Sequence, residues 1–314
     1  MQKALLIGIN YAGTGQALRG CINDVNNMNA LLKEKGFDEI RLVLEKDATT
    51  DGIKAAMEWL VSGVTAGDTI VMHYSGHGSQ MPSATEPDGY EEIICPIDLD
   101  WMKKVITDKD LAAIFNRVPA GVNTTVILDC CHSGTGLNQN ESYTPSTRDI
   151  TGDAAPATSK FMAPPPGLVA ATRVVDWHAS RDINSDALLI ACCRADQTSA
   201  DAFIDGMPQG AGTASILRAV KGNPDITYRQ LLDSMTNFMV QVGFTQRPQL
   251  DGSSALYDKK FLAPFTSAAE PGQVPAHTIA ATPQVNNNSK KKINPAIIAV
   301  AGVIIAVLLF AFTN

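Results

Sequence analysis

The chain has 314 residues, 45% apolar and 18% charged, with a formal net charge of −7. That length buries a full core as one domain once the tails are set aside, and the acidic balance excludes the basic footprint of a nucleic-acid binder. The six cysteines (21, 95, 130, 131, 192, 193) include two adjacent pairs and no even spacing, which reads as free thiols in a reducing compartment and not as a disulfide framework.

In chain order, Met1 to Asn10 has a brief apolar run without a cleavage site, so it reads as a strand and not a signal peptide. Ala4 to Ile9 is apolar throughout, as a strand covered on both faces should be. The following glycines (Gly13, Gly15, Gly20) lack the Gly-Lys-Ser/Thr ending of a phosphate-binding loop. A helix is expected from Asn23 to Lys35, with Val25, Met28, Leu31 and Leu32 on one face and Gly36 closing it. Ile40 to Leu44 is a second strand, Thr50 to Val61 a second helix, and Thr69 to His73 a third strand. This alternation implies a mostly parallel sheet with helices on both faces. Ser79 to Asp100 reads as a loop with an acidic knot at 86–92, and Thr107-Asp108-Lys109-Asp110 as a capping box variant before a helix at Leu111 to Asn116.

Thr125 to Leu128 is a short buried strand that breaks into Asp129-Cys130-Cys131-His132-Ser133-Gly134. Asn138 to Ser185 is rich in Pro, Ser, Thr, Ala and Asp and reads as a long, exposed, flexible loop. Order resumes with a strand at Ala187 to Ala191, helices near Thr213 to Val220 and Tyr228 to Val242, and a final edge strand within 247–261. Pro264 to Ser289 is a linker by composition. Ile293 to Phe312 follows three lysines and is twenty residues without a charge; as a helix it spans about 30 Å, the bilayer's hydrocarbon thickness. It is expected to anchor the chain by its C-terminus, with the lysines keeping the body on the cytoplasmic side.

Two strand ends carry the chemistry. Val71 to Tyr74 runs into the Gly-flanked His77, and the Val126 strand runs into Cys131. Open α/β sheets place ligands at such carboxyl edges. A cysteine attacks a carbonyl as its thiolate, and a nearby imidazole takes its proton and returns it to the leaving amine. The Gly78 and Cys131 N–H groups are the candidate oxyanion donors. A zinc site is disfavoured, because His73, His77, Cys130, Cys131 and His132 match no usual zinc spacing.

Tyr74-Ser75-Gly76-His77-Gly78-Ser79-Gln80 and Asp129-Cys130-Cys131-His132-Ser133-Gly134 resemble the two catalytic signatures of metacaspases, in the caspase-like cysteine peptidase clan. The likeness continues in Gly20 to Asp24, Asp196 to Asp201 and Gln246 to Leu250, covering roughly 3 to 262. The resemblance implies an α/β caspase–hemoglobinase fold of type I-like organisation without a long N-terminal prodomain. Its expected parts are a large catalytic part (1–137), a processing loop (138–185), a small part of the same domain (186–264), a linker (265–292) and the membrane helix (293–312). It implies an endopeptidase cutting protein substrates after Arg or Lys, with Cys131 as nucleophile, His77 as base, and a basic-residue pocket of Cys21, Asp24, Ser75 and Asp129. The resemblance also favours a monomer. The 138–185 loop carries Arg148, Lys160, Arg173 and Arg181, basic residues that suit an acidic pocket, so self-cutting is expected within it, foremost after Arg173 or Arg181. No cofactor is required for the chemistry. Calcium, as an activator, would be held by Glu91, Asp108 and Asp110. The competing expectation is a membrane-anchored adaptor that keeps the fold without strong catalysis.

Overall fold

The computed structural model describes residues 1–83, 89–131, 157–168, 187–194 and 197–264, all within one unit, Met1–Ala268. Among them a six-stranded sheet is assembled from β1 (Gln2–Gly8), β2 (Glu39–Leu44), β3 (Thr69–Ser75), β7 (Asn123–Asp129), β9 (Ala187–Ala191) and β12 (Gln249–Gly252). The spatial order is β12-β9-β7-β3-β1-β2. Every neighbouring pair is parallel except the edge pair β9 and β12.

The alternation of side chains along these strands divides the core. Leu5 and Ile7 face one way, with Ile53, Met57 and Leu60 of α2 (Thr50–Val61) and Leu111 and Phe115 of α3 (Asp108–Phe115). Ala4 and Leu6 face the other way. There they meet α1 (Cys21–Glu34), α4 (Ala211–Gly222) and α5 (Tyr228–Gln241) through Val25, Met28, Ile216, Leu231 and Met235. Both faces of a parallel sheet are thereby covered, which is why its strands are continuous apolar runs. α3 begins with the expected capping box: the Asp110 N–H donates to Thr107 Oγ1 and the Thr107 N–H to Asp110. Such a cap is worth about 1 kcal/mol.

Two readings are corrected, and one unread segment gains structure. Ser79 to Asp100 is not all loop, because β4 (Gly78–Pro82) and β5 (Tyr90–Ile94) form an antiparallel pair that β6 (Ile106–Thr107) extends. A second hairpin, β10 (Ala200–Ile204) and β11 (Met207–Gly210), turns at Asp205-Gly206, both with positive φ; Asp-Gly is the residue pair this turn favours. Finally, the segment expected to be an exposed loop contains a buried piece. There β8 (Thr158–Ser159) pairs antiparallel with β10, and Lys160 has no exposed surface. The self-cutting sites expected at Arg173 and Arg181 lie outside the described residues, as does Ile293 to Phe312. Among the described residues, no helix is long and apolar enough to cross a membrane.

Candidate active site

The register of β3 against β7 sets Ser75 opposite Asp129, so the two chains leave the sheet side by side toward His77 and Cys131. Two tyrosines fix the His77 backbone: Tyr11 Oη accepts from the His77 N–H at 3.1 Å, and Tyr74 Oη donates to the His77 carbonyl at 2.6 Å. The Tyr11 ring also packs against the imidazole, centroids 4.8 Å apart. His77 Nε2 is 2.7 Å from the Gln16 carbonyl, while Nδ1 is buried without a partner. Burial pulls the His77 pKa down to about 4, outweighing the Gln16 and Lys160 carbonyls that favour the imidazolium. The ring is thus a neutral imidazole at pH 7, the form that can accept a thiol proton. At Gly78 a Cβ would collide with the Cys131 carbonyl, so only glycine lets the two turns close on each other.

Beneath these turns lies an acidic pocket. Asp24, Ser75, Cys21 and Asp129 have no exposed surface there. Its occupant is Lys160, whose Nζ is 3.2 Å from Asp24 Oδ2, 3.2 Å from Asp129 Oδ2 and 2.9 Å from Ser75 Oγ. The ammonium's three donors are therefore all used. The pocket is braced from behind. Gly210 N–H donates to Asp24, Ser199 Oγ to Asp129 Oδ1 at 2.6 Å, and the Thr213 N–H and hydroxyl to Asp129 Oδ2. A Cβ on Gly210 would strike Asp129 and the Lys160 ammonium, so this glycine opens the space for the cation. Burial pushes Asp129 up, but Lys160 and these hydrogen bonds outweigh it and hold the carboxyl low. For Asp24 burial dominates and its pKa rises to about 6. Burial works against the Lys160 charge, yet Asp129 and Asp24 hold its pKa well above the ordinary lysine value. Sequence reasoning counted Lys160 among the loop's basic residues suited to the pocket but favoured Arg173 and Arg181, and it missed Ser199, Gly210 and Thr213; the Asp205-Gly206 pair is the signal that could have located β10 and β11.

The Lys160 backbone is hydrogen-bonded to both strand ends and to the Ser199 segment. Its N–H donates to the Ser199 carbonyl at 2.9 Å, and its carbonyl accepts from Gly78 N–H at 3.0 Å and Cys131 N–H at 3.3 Å. Beyond it the Met162 N–H returns to the Gly78 carbonyl at 3.0 Å, so the strand continues past the Lys160–Phe161 bond. The Cys131 sulfur accepts from the Ser199 N–H at 2.6 Å. Cys130 is buried one residue earlier, its thiol pKa raised by burial.

The expected calcium acids are arranged differently. Glu91 pairs with Lys109 at 3.5 Å, and Asp110 pairs with Lys54 at 3.2 Å while closing the α3 capping box. Asp108 accepts from the Lys109 N–H at 2.8 Å. Calcium asks for six to eight oxygens with several carboxylates on one point. Among the described residues no group of three or more His, Cys, Asp or Glu side chains converges to hold a metal, so in this arrangement the residues do not fit the ion. His73 lies inside β3 with Nε2 3.0 Å from Thr213 Oγ1, a structural partner and no ligand cluster.

The fold and these strand ends define a caspase-like cysteine peptidase. Residues 2–140 match the family model of the metacaspase peptidase C14 domain. Metacaspase-1 of Mycosarcoma maydis is 33% identical over 286 residues, covering 80% of this chain and 70% of its own length. Metacaspase-1A of Neurospora crassa is 34% identical over 294 residues, with 80% and 63% covered, and metacaspase-1 of Botryotinia fuckeliana 33% over 290 residues, with 81% and 68% covered. A crystal structure of a Geobacter sulfurreducens protein superposes with a TM-score of 0.63 at 25% identity, covering 84% of this chain and 98% of that one. The chain belongs to the metacaspase family, and with it to the cysteine-type endopeptidases.

Proposed function

We propose that this metacaspase cleaves after Arg and Lys through Cys131 and His77, and that Lys160–Phe161 is a bond it cuts in itself. One observation carries the reading: a lysine fills the acidic pocket while its carbonyl sits between the Gly78 and Cys131 N–H groups. In a substrate, the same two donors would stabilise the oxyanion formed when the Cys131 sulfur attacks. His77 would take the thiol proton and pass it to the leaving amine, and water would then release the acyl group. Asp24 and Asp129 would select a basic residue by paired charged hydrogen bonds and repel an acidic one. With Lys160 in place the cleft is closed to other substrates, so the uncut chain is latent. Calcium, as an activator, would be held by Glu91, Asp108 and Asp110 only if the Lys109 and Lys54 pairs were open. The C-terminal stretch Ile293 to Phe312 is proposed as a membrane anchor for a monomeric body on the cytoplasmic side.

The test is turnover of peptides ending in Arg, Lys or Asp before a fluorogenic leaving group. Arg and Lys peptides should be cut and the Asp peptide spared. Cys131→Ala should lose several orders of magnitude, since only binding and the oxyanion donors remain, and Cys130→Ala should keep most of the activity. Turnover surviving in Cys131→Ala, or an adaptor-like absence of turnover in every form, refutes the reading.

A further inference from the structure

A third carboxylate stands in the pocket wall and the lysine leaves part of it unused. Asp201 on β10 has no exposed surface. The register pairs it with Gly210 on β11 and with Thr158 on β8. Directly opposed residues of antiparallel strands share a face of the sheet. On Gly210 that face points at Asp129, Asp24 and the Lys160 ammonium. The Asp201 side chain is therefore directed to the pocket side of β10, two residues from Ser199, which braces Asp129 from the same face. Its Oδ2 accepts from the Arg19 N–H at 2.7 Å, while Oδ1 abuts Gly20 and is buried without a hydrogen-bond partner. Its negative charge is felt by both Cys21 and Lys160.

We infer that Asp201 Oδ1 is the acceptor that makes this pocket prefer arginine to lysine; the inference rests on the basic-residue reading above. Buried acceptors rarely go unpaired, and an orphan marks either strain or an absent partner. A lysine ammonium is satisfied by Asp24, Asp129 and Ser75 and has no further donor to offer. A guanidinium is longer and carries five donors in a planar fork. It can keep contact with the Asp24 and Asp129 carboxylates and still turn an N–H toward Asp201. An arginine substrate thus satisfies an oxygen that the internal lysine leaves bare, and gains an advantage when the two compete for the cleft.

The experiment measures kcat/KM on two peptides that differ only in Arg or Lys before the scissile bond, for the self-processed wild type, Asp201→Asn and Asp201→Glu. The wild type should favour Arg, and Asp201→Asn should lower turnover of the Arg peptide about tenfold, the scale of one charged hydrogen bond, with a smaller fall for the Lys peptide, which loses only the longer-range attraction of the charge. Asp201→Glu, which keeps the charge, should retain more of the Arg preference than Asp201→Asn. An Arg/Lys ratio equal to wild type in Asp201→Asn, or an equal fall for both peptides, overturns the assignment and leaves Asp201 a structural acid. If Asp201→Asn does not fold, Asp201→Ser, which also removes the carboxylate, takes its place: a ratio equal to wild type overturns the assignment and a lowered Arg preference supports it. Failure of the wild type on both peptides is a different result, refuting the basic-residue reading itself.

Discussion

Acids hold lysines in two regions of this chain, and the two regions differ in burial and convergence, which give an ion pair its strength. Asp24 and Asp129 grip Lys160 with all three side chains fully buried, and backbone N–H groups and hydroxyls complete both carboxylates. Glu91 and Asp110 hold Lys109 and Lys54 at the surface, with side chains from about a fifth to nearly half exposed. Removing one partner of a buried pair leaves an uncompensated charge, at a cost of about 3–5 kcal/mol. An exposed pair contributes about 0–1 kcal/mol because water screens it and two long side chains must be ordered. The same residue types thus make a selective grip in one place and a solvated surface in the other; convergence and desolvation make the difference.

That contrast can be broken first at the pocket. Asp129→Asn should lower kcat/KM for Arg and Lys peptides by about 100-fold or more, the scale of an unpaired buried charge, measured on the processed enzyme. Next, Lys160→Met should leave Asp24 and Asp129 facing each other without a cation. Chemical denaturation of the uncut Cys131→Ala chain with and without this change should show a loss of about 3 kcal/mol. If the loss is under about 1 kcal/mol, the buried grip is no stronger than a surface pair.

Acid sensitivity sharpens the comparison. Burial lowers His73 and His77 from 6.5 to about 4 in the folded chain. The unfolded chain therefore binds more protons between these values, and the stability present above pH 6.5 is lost as pH falls toward 4. Each histidine contributes on the order of 3 kcal/mol over that window. Asp24, raised from 3.8 to about 6, acts with the opposite sign, since the folded state binds its proton first and gains stability as pH falls through 6. The net expectation is a fall in unfolding midpoint from pH 7 to pH 5 that His73→Gln reduces. A midpoint equal at both values contradicts it. The smallest effect belongs to the surface: Lys109→Ala should change stability by less than about 0.5 kcal/mol, read from urea midpoints.

Much of the frame was legible because buried parallel strands must be apolar along their whole length. β9 and α2 fall on their expected bounds, and the capping box at Thr107 forms as its spacing demands. β4 was not legible, since Gly78-Ser79-Gln80-Met81-Pro82 carries neither alternation nor strand-forming residues, and without it β5 has no hairpin partner in the sequence. The pocket acids came from the family resemblance, because nothing local in Asp24 distinguishes a grip from a helix's first-turn acid. What singles out Lys160 from the loop's arginines was hidden for a sharper reason. Thr158-Ser159 has loop composition, and only pairing with β10, about forty residues on, makes it a strand.

The most direct measurement is the N-terminus of the fragment that the full chain generates on incubation, determined by sequencing and intact mass beside Cys131→Ala and Lys160→Gln. The account predicts a new terminus at Phe161, absent from both variants. Cleavage after Arg173 or Arg181 with the Lys160–Phe161 bond intact, or a Phe161 terminus that persists in Cys131→Ala, would contradict it.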